Sequence, residues 1–148
     1  MDDTLIRTVH EAGNVCSYFD IPIQHASNRI LKKMGRQYRK KDLFRLFDRI
    51  RAIAGDACLR TTVITGFPGE TESDFHELLQ CIEKIRFDHL GVFNYSDSED
   101  LASHGLDRHV PKKTALKRHD AIMSRQLELS AANNEKYLHQ TLKVLIEE

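Results

Sequence analysis

The chain has 148 residues, with 22 basic and 22 acidic side chains, three cysteines and no tryptophan. A chain of this length buries roughly 68–70% of the surface its unfolded form exposes, so a core forms without disulfides or a structural metal. Its 41% hydrophobic and 30% charged content excludes a disordered chain. No apolar run approaches the ~20 residues of a membrane span, and residues 1–4 lack a basic, apolar leader, so the expected compartment is the cytoplasm with no membrane partner.

Residues 5–11 form a short helical stretch that stops at Gly13-Asn14. Residues 15–23, VCSYFDIPI, read as a strand broken by Pro22. Ser27 can cap a short helix over 28–34, ended by Gly35, and a longer helix over 41–54 carries Leu43, Phe44, Leu46, Phe47, Ile50 and Ile53 at helical spacing. Residues 57–65, ACLRTTVIT, form a second strand whose latter half has the apolar, β-branched character of a sheet covered on both faces. It runs into GFPGE at 66–70, after which Thr71 opens a helix with a buried stripe of Phe75, Leu78, Leu79, Ile82 and Ile85. A third strand, 89–95, leads into a polar loop over 96–109. Pro111 suits the first turn of a helix running to about residue 138, marked by Leu116, Ile122, Met123, Leu127 and Leu129, and residues 141–146 regain strand character.

Strands alternating with helices predict an α/β fold of right-handed β-α-β units around a parallel sheet, part of a larger barrel or wound sheet. Reactive groups in such sheets gather where strands end, which selects three junctions. At the first, Gln24 and His25 carry an amide and an imidazole; a ribose or carboxylate ligand and a purely structural hydrogen bond both fit. At the second, the glycines of GFPGE let the backbone approach a nucleotide-like ligand beside a helix N-terminus. A tight turn with Glu70 complementing the helix dipole fits the same residues. At the third, residues 95–100 collect hydroxyls and carboxylates without the spacing of a calcium loop, and read as solvated.

Arg60, inside an apolar strand, needs an anionic partner from the protein or from a ligand. Cys16, Cys58 and Cys81 are 42 and 23 residues apart, too far for the close spacings of zinc or iron–sulfur sites, and read as inert small hydrophobes. Charge is uneven: positions 29–51 hold ten basic and two acidic residues, and 70–100 hold nine acidic residues against Lys84 and Arg86. The basic segment suits RNA or ribosome contact, or plain solvation.

Four stretches, YFDIPIQHAS (18–27), RILKKMGRQY (29–38), LRTTVITGFPGETESDF (59–75) and RFDHLGVFNYSDSEDL (86–101), together resemble the radical S-adenosylmethionine methylthiotransferases. The wording is closest to the type that modifies an aspartate of a small-subunit ribosomal protein. The tRNA-adenosine type more typically shows Gln-Ser-Gly-Ser where this chain has Gln24-His25-Ala26-Ser27.

The resemblance implies that residues 1–138 are the C-terminal part of a partial (β/α) barrel with its final long helix. Residues 139–148 would open a TRAM domain. It implies S-adenosylmethionine as cofactor, with contacts or their supports at Gln24, His25, Arg60, Gly66, Phe67, Pro68 and Glu70, and Arg60 as partner of the methionyl carboxylate. Phe93 and Tyr95 would wall the substrate cavity. The family's four-iron–four-sulfur clusters use cysteine motifs that Cys16, Cys58 and Cys81 do not match, so no metal ligand is expected here and the piece alone is expected to be inactive. The implied substrate is a small-subunit ribosomal protein. A tRNA-modifying relative and a non-catalytic nucleotide- or RNA-binding module are the alternatives.

Overall fold

A computed structural model describes residues 1–141. The elements are α1 (Asp3–Glu11), β1 (Tyr18–Asp20), α2 (Asn28–Lys33), α3 (Lys40–Ile53), β2 (Cys58–Thr65), α4 (Glu72–Ile85), β3 (His89–Asn94) and α5 (Lys112–Asn134), with a short 3-10 turn at Glu135–Tyr137. The strands form one parallel, open sheet in the order β1-β2-β3. The expected strand over 141–146, and with it most of the expected TRAM opening, lies outside the described residues. Among the described residues no helix is long and apolar enough to cross a membrane.

Period-two alternation sorts the strands onto two faces. Phe19, Leu59, Thr61, Val63 and Leu90 point into the core, where they meet Ile6 of α1, Leu43, Phe47 and Ile50 of α3, Phe75, Leu78, Cys81 and Ile82 of α4, and Ile122 and Leu129 of α5. Phe47 and Phe87 pack edge to face at 5.0 Å, a geometry that adds about 0.5–1.5 kcal/mol beyond area burial. The opposite face, with Asp20, Arg60, Thr62, Ile64 and Phe93, is half-open. The expectation of a β2 covered on both faces is therefore corrected for the described residues: among them helices cover one face and leave the other half-open, and the β-branched run reflects strand propensity as well as burial.

Regular pairing in β1 is shorter than the residue types suggest. The Ile21 N–H still donates to Arg60 O, but the next donor in the ladder, Ile23, gives its N–H to Thr61 Oγ1 at 3.2 Å, and the Gln24 N–H donates to Thr62 O instead; the strand thus resumes for a single bridge, Gln24 to Val63. In α4, Thr71 caps the helix and Asp74 returns the bond to the Thr71 N–H, a reciprocal capping box. The inward stripe of α5 is Ala115, Arg118, Ile122, Gln126 and Leu129. Of the apolar markers, Leu116, Met123 and Leu127 are exposed. Polar residues take the buried positions because α5 crosses chain ends that need partners: Gln126 Nε2 donates to Phe87 O at 2.8 Å, and Ser130 Oγ to Asp88 O at 2.9 Å.

Candidate active-site cleft

The three junctions selected from the sequence meet at the C-terminal ends of the strands. A cleft of about 500 Å³ opens there on the uncovered face, and its walls include Gln24, Phe67, Phe93 and Tyr95, one or more from each junction. Ile64 at the end of β2 joins them. Lys33 is the last residue of α2 and Arg36 follows shortly after it, and Leu101, Ala102 and Ser103 come from the loop after β3. None of these last residues is among those expected at the site, although Lys33 and Arg36 lie in the 29–38 stretch and Leu101 in the 86–101 stretch that carry the resemblance. Arg36 reaches the cleft because Gly35, at φ +71, turns the chain back after α2; the Arg36 N–H then donates to Leu31 O at 2.9 Å.

Gln24 holds a left-handed backbone at φ 59, which is unfavourable for a side chain larger than glycine. Two backbone bonds to β2 keep it there: its N–H donates to Thr62 O at 2.9 Å and its carbonyl accepts from Ile64 N–H at 2.8 Å. His25 is fully buried. Its Nδ1 accepts from the Ser27 N–H at 2.9 Å, which puts the proton on Nε2, and that atom has no partner. Burial pulls its pKa down to about 4, helped by Arg118 and Arg29 and opposed by Asp74. The neighbouring Asp74 accepts from Ser27 Oγ at 2.6 Å and from Arg29 and Thr71. Burial alone would raise Asp74, but these bonds together hold it well below the usual carboxylate range. His25 thus faces the packing beneath the cleft.

The GFPGE turn is tied down from below. The Gly66 and Phe67 N–H groups both donate to Glu70 Oε2, at 3.1 Å from Phe67. Glu70 in turn lies 3.3 Å from the Arg118 guanidinium of α5, both side chains being buried. Burial raises the Glu70 pKa, against the opposing pull of Arg118 and the two backbone bonds. The Gly66 and Phe67 N–H groups are therefore already satisfied by Glu70, and at the start of α4 the Thr71 N–H is taken by Asp74 and the Asp74 N–H by Thr71 Oγ1. The turn offers the cleft the ring of Phe67 instead, packed edge to face on Tyr95 at 5.3 Å. Gly66 has φ +78, and a Cβ there would lie 2.5 Å from Ala115 Cβ.

Tyr95 fixes the third wall. Its hydroxyl lies 3.0 Å from Asp97 Oδ1 and 2.9 Å from Ser103 Oγ, and His104 Nδ1 is 3.0 Å from Asp97 Oδ2. The stretch read as a solvated loop thus closes one side of the cleft. Arg60 lies apart from it. It pairs with Asp20, four residues before Ile64, about 13 Å back along the strand. Beside His89, Gly91 and Met123 it lines a separate concavity.

The cleft fits a nucleoside-sized cofactor: its volume lies in the usual range for small-molecule sites, its walls are mostly apolar and aromatic, and two amides, Gln24 and Asn94, and two cations border it. An iron–sulfur cluster has no such fit among the described residues. Cys16 is exposed, Cys58 half-buried and Cys81 buried, and among the described residues no group of three or more His, Cys, Asp or Glu side chains is placed to hold a metal ion.

The sequence profile of the Radical SAM superfamily matches residues 1–82, more than half of the chain and two of the three junctions. The chain belongs to the radical SAM superfamily. It is 53% identical over its whole length to a protein of Desulfosudis oleivorans named ribosomal protein uS12 methylthiotransferase RimO, of which it covers 34%. It is 45% identical over 99% of its length to a protein of the same name from Clostridioides difficile, of which it covers 33%. The chain thus spans about a third of the length of these relatives. Among solved structures, the radical SAM enzyme coproporphyrinogen III oxidase (HemN) of Escherichia coli shares the fold at a TM-score of 0.64 and 16% identity, over 92% of this chain and 30% of that one.

Proposed function

We propose that this chain forms one side of the S-adenosylmethionine and substrate cavity of a methylthiotransferase acting on an aspartate of ribosomal protein uS12. The observation that carries the reading is the cleft in which Gln24, Phe67, Phe93 and Tyr95 converge from three strand ends; the likeness of this chain to about a third of the RimO relatives supports uS12 as the substrate. When bound, S-adenosylmethionine supplies the capacity to abstract hydrogen from an unactivated carbon.

The protein's part is to bind, orient and shield. Gln24 offers a donor and an acceptor at a backbone position held against its own preference. Phe67, Phe93 and Ile64 exclude water from the reacting carbon, and Tyr95 does the same while its hydroxyl anchors the loop. Lys33 and Arg36 are the cations beside the cleft suited to a methionyl carboxylate, the role expected of Arg60. Gly66, Pro68, Glu70 and His25 act as supports that fix the turn. The cluster that delivers the electron in such enzymes finds no ligand set among the described residues, so this chain acts with cysteines from elsewhere in the functional enzyme.

Calorimetric titration of S-adenosylmethionine into the chain, its Phe67→Ala variant and its Arg60→Gln variant tests the cavity. The reading expects binding that weakens about fivefold to tenfold in Phe67→Ala, for the loss of about 1 kcal/mol of aromatic contact, and is unaltered in Arg60→Gln. Equal affinity in parent and Phe67→Ala removes the cleft as the site.

A further inference from the structure

We infer that a second recess, next to the cleft but distinct from it, binds the phosphodiester backbone of RNA. The recess, of about 470 Å³, is lined by Asn28, Arg29, Lys32, Arg36, Gln37, Tyr38 and Arg39. It exists because the left-handed turn at Gly35 folds the connection to α3 back alongside α2, so that two cations of the helix face two of the connection. No acidic residue lines it. Of the four cations, Arg29 is engaged by Asp74, and among the described residues Lys32, Arg36 and Arg39 form no ion pair.

Two features separate this recess from ordinary surface solvation. First, α3 opens with Arg39, Lys40 and Lys41 at the end of the helix where the macrodipole is already positive; Asp42 lies in that first turn and Glu77 of α4 pairs with Lys40 at 2.6 Å, while among the described residues Arg39 and Lys41 form no ion pair. Cations at that end are electrostatically unfavourable, and an anion resting there relieves them. Lys32 and Lys33, at the C-terminal end of α2, complement the dipole of their own helix and need no such account. Second, the lining consists of the residue types that grip phosphate and sugar, Arg, Lys, Asn, Gln and Tyr; the Tyr38 hydroxyl already donates to Ile23 O and Asn28 Oδ1 already accepts from the Lys40 N–H, which leaves the cations to make the phosphate contacts. A polymer is favoured over a lone phosphate because Arg36 borders both this recess and the cleft. The basic track therefore continues to the mouth of the cavity, and RNA lying in it would be held beside whatever enters there.

The inference is independent of the cofactor reading, since Lys32 and Arg39 lie outside the cleft. Binding of a short fluorescein-labelled oligouridylate to the chain is followed by anisotropy across a salt series. Three to four phosphate contacts predict a slope of log affinity against log salt of about −2 to −3, at about 0.7 per contact with a single strand. The double variant Lys32→Gln with Arg39→Gln should lose at least about tenfold in affinity at low salt and about 1.4 from the slope. It should keep its melting temperature and its S-adenosylmethionine affinity. Lys117→Gln, an exposed cation on α5, should bind RNA as the parent does. An unchanged slope in the double variant overturns the inference. So does displacement of the RNA by polyglutamate, or by inorganic phosphate at equal phosphate concentration.

Discussion

Replacing Gly66 by alanine probes the joint on which the cleft depends. The substitution acts twice. At φ +78 any L side chain is held in the left-handed region, at a cost of about 1–2 kcal/mol. The new methyl also lies 2.5 Å from Ala115 Cβ, inside contact distance, so either the turn or the first turns of α5 must move; overpacking of this kind costs about 1–3 kcal/mol. The sum, about 2–5 kcal/mol, lowers the melting temperature by about 6–15 °C at about 3 °C per kcal/mol for a chain of this size. A double-mutant cycle with Ala115→Gly separates the parts. Ala115→Gly alone costs about 1 kcal/mol as a helical glycine, but combined with Gly66→Ala it should return the overpacking part, giving a favourable coupling of about 1–3 kcal/mol. Thermal denaturation of the four proteins by circular dichroism reads the cycle. A fall of under 2 °C in Gly66→Ala, or strict additivity in the double variant, would refute the proposed contact between the turn and α5.

Arg118→Met leaves the buried Glu70 without its cation and should cost about 3–5 kcal/mol, partly recovered when Glu70→Gln is added; equal stability of the single and double variants in urea would exclude the pair as the support of the turn. His25 is held neutral by burial, with its pKa near 4. In acid the unfolded chain therefore takes up a proton that the folded chain resists, and stability falls between about pH 6.5 and 4 by about 3 kcal/mol. His25→Asn keeps an acceptor for the Ser27 N–H and should lose that much less over the same interval, so identical pH profiles for the two proteins would contradict the assignment. Gln24→Gly relieves the left-handed strain and should leave stability unchanged or raise it by up to about 1 kcal/mol, while weakening S-adenosylmethionine binding; a variant both less stable and equally tight would show that Gln24 is a structural residue. Under iodoacetamide, exposed Cys16 should react first, whereas Cys81, buried and pushed up to about 12, should react only on unfolding.

The order and type of elements were legible in the sequence because apolar spacing and punctuation agreed at each step: Gly35, Thr71 and Pro111 stand at real element ends. Legibility failed where a local pattern had two solutions. The β-branched run in β2 is compatible with one covered face or two, and only the placement of the helices decides. The GFPGE turn beside the α4 N-terminus suggests a ligand seat, but Glu70 reaches back to occupy the N–H groups of Gly66 and Phe67, and the capping box occupies those of Thr71 and Asp74. Arg60 was read as needing an anion, and Asp20 supplies one across the β1–β2 ladder, a pairing that depends on strand register. Lys33 and Arg36 stand out in the sequence as part of the basic segment, but their place in the cleft, like that of Ser103, comes from the turn at Gly35 and the course of the loop after β3.

The most direct test of the account is to exchange this chain for the corresponding segment of the Desulfosudis oleivorans RimO protein, to which it is 53% identical, and to read the product by mass spectrometry of uS12 and of tRNA. The account predicts a chimera that adds a methylthio group to an aspartate of uS12, leaves tRNA unmodified, and loses activity when Phe67 or Gln24 is replaced by alanine. A folded chimera that modifies tRNA instead, or one that binds S-adenosylmethionine but modifies neither, would contradict it.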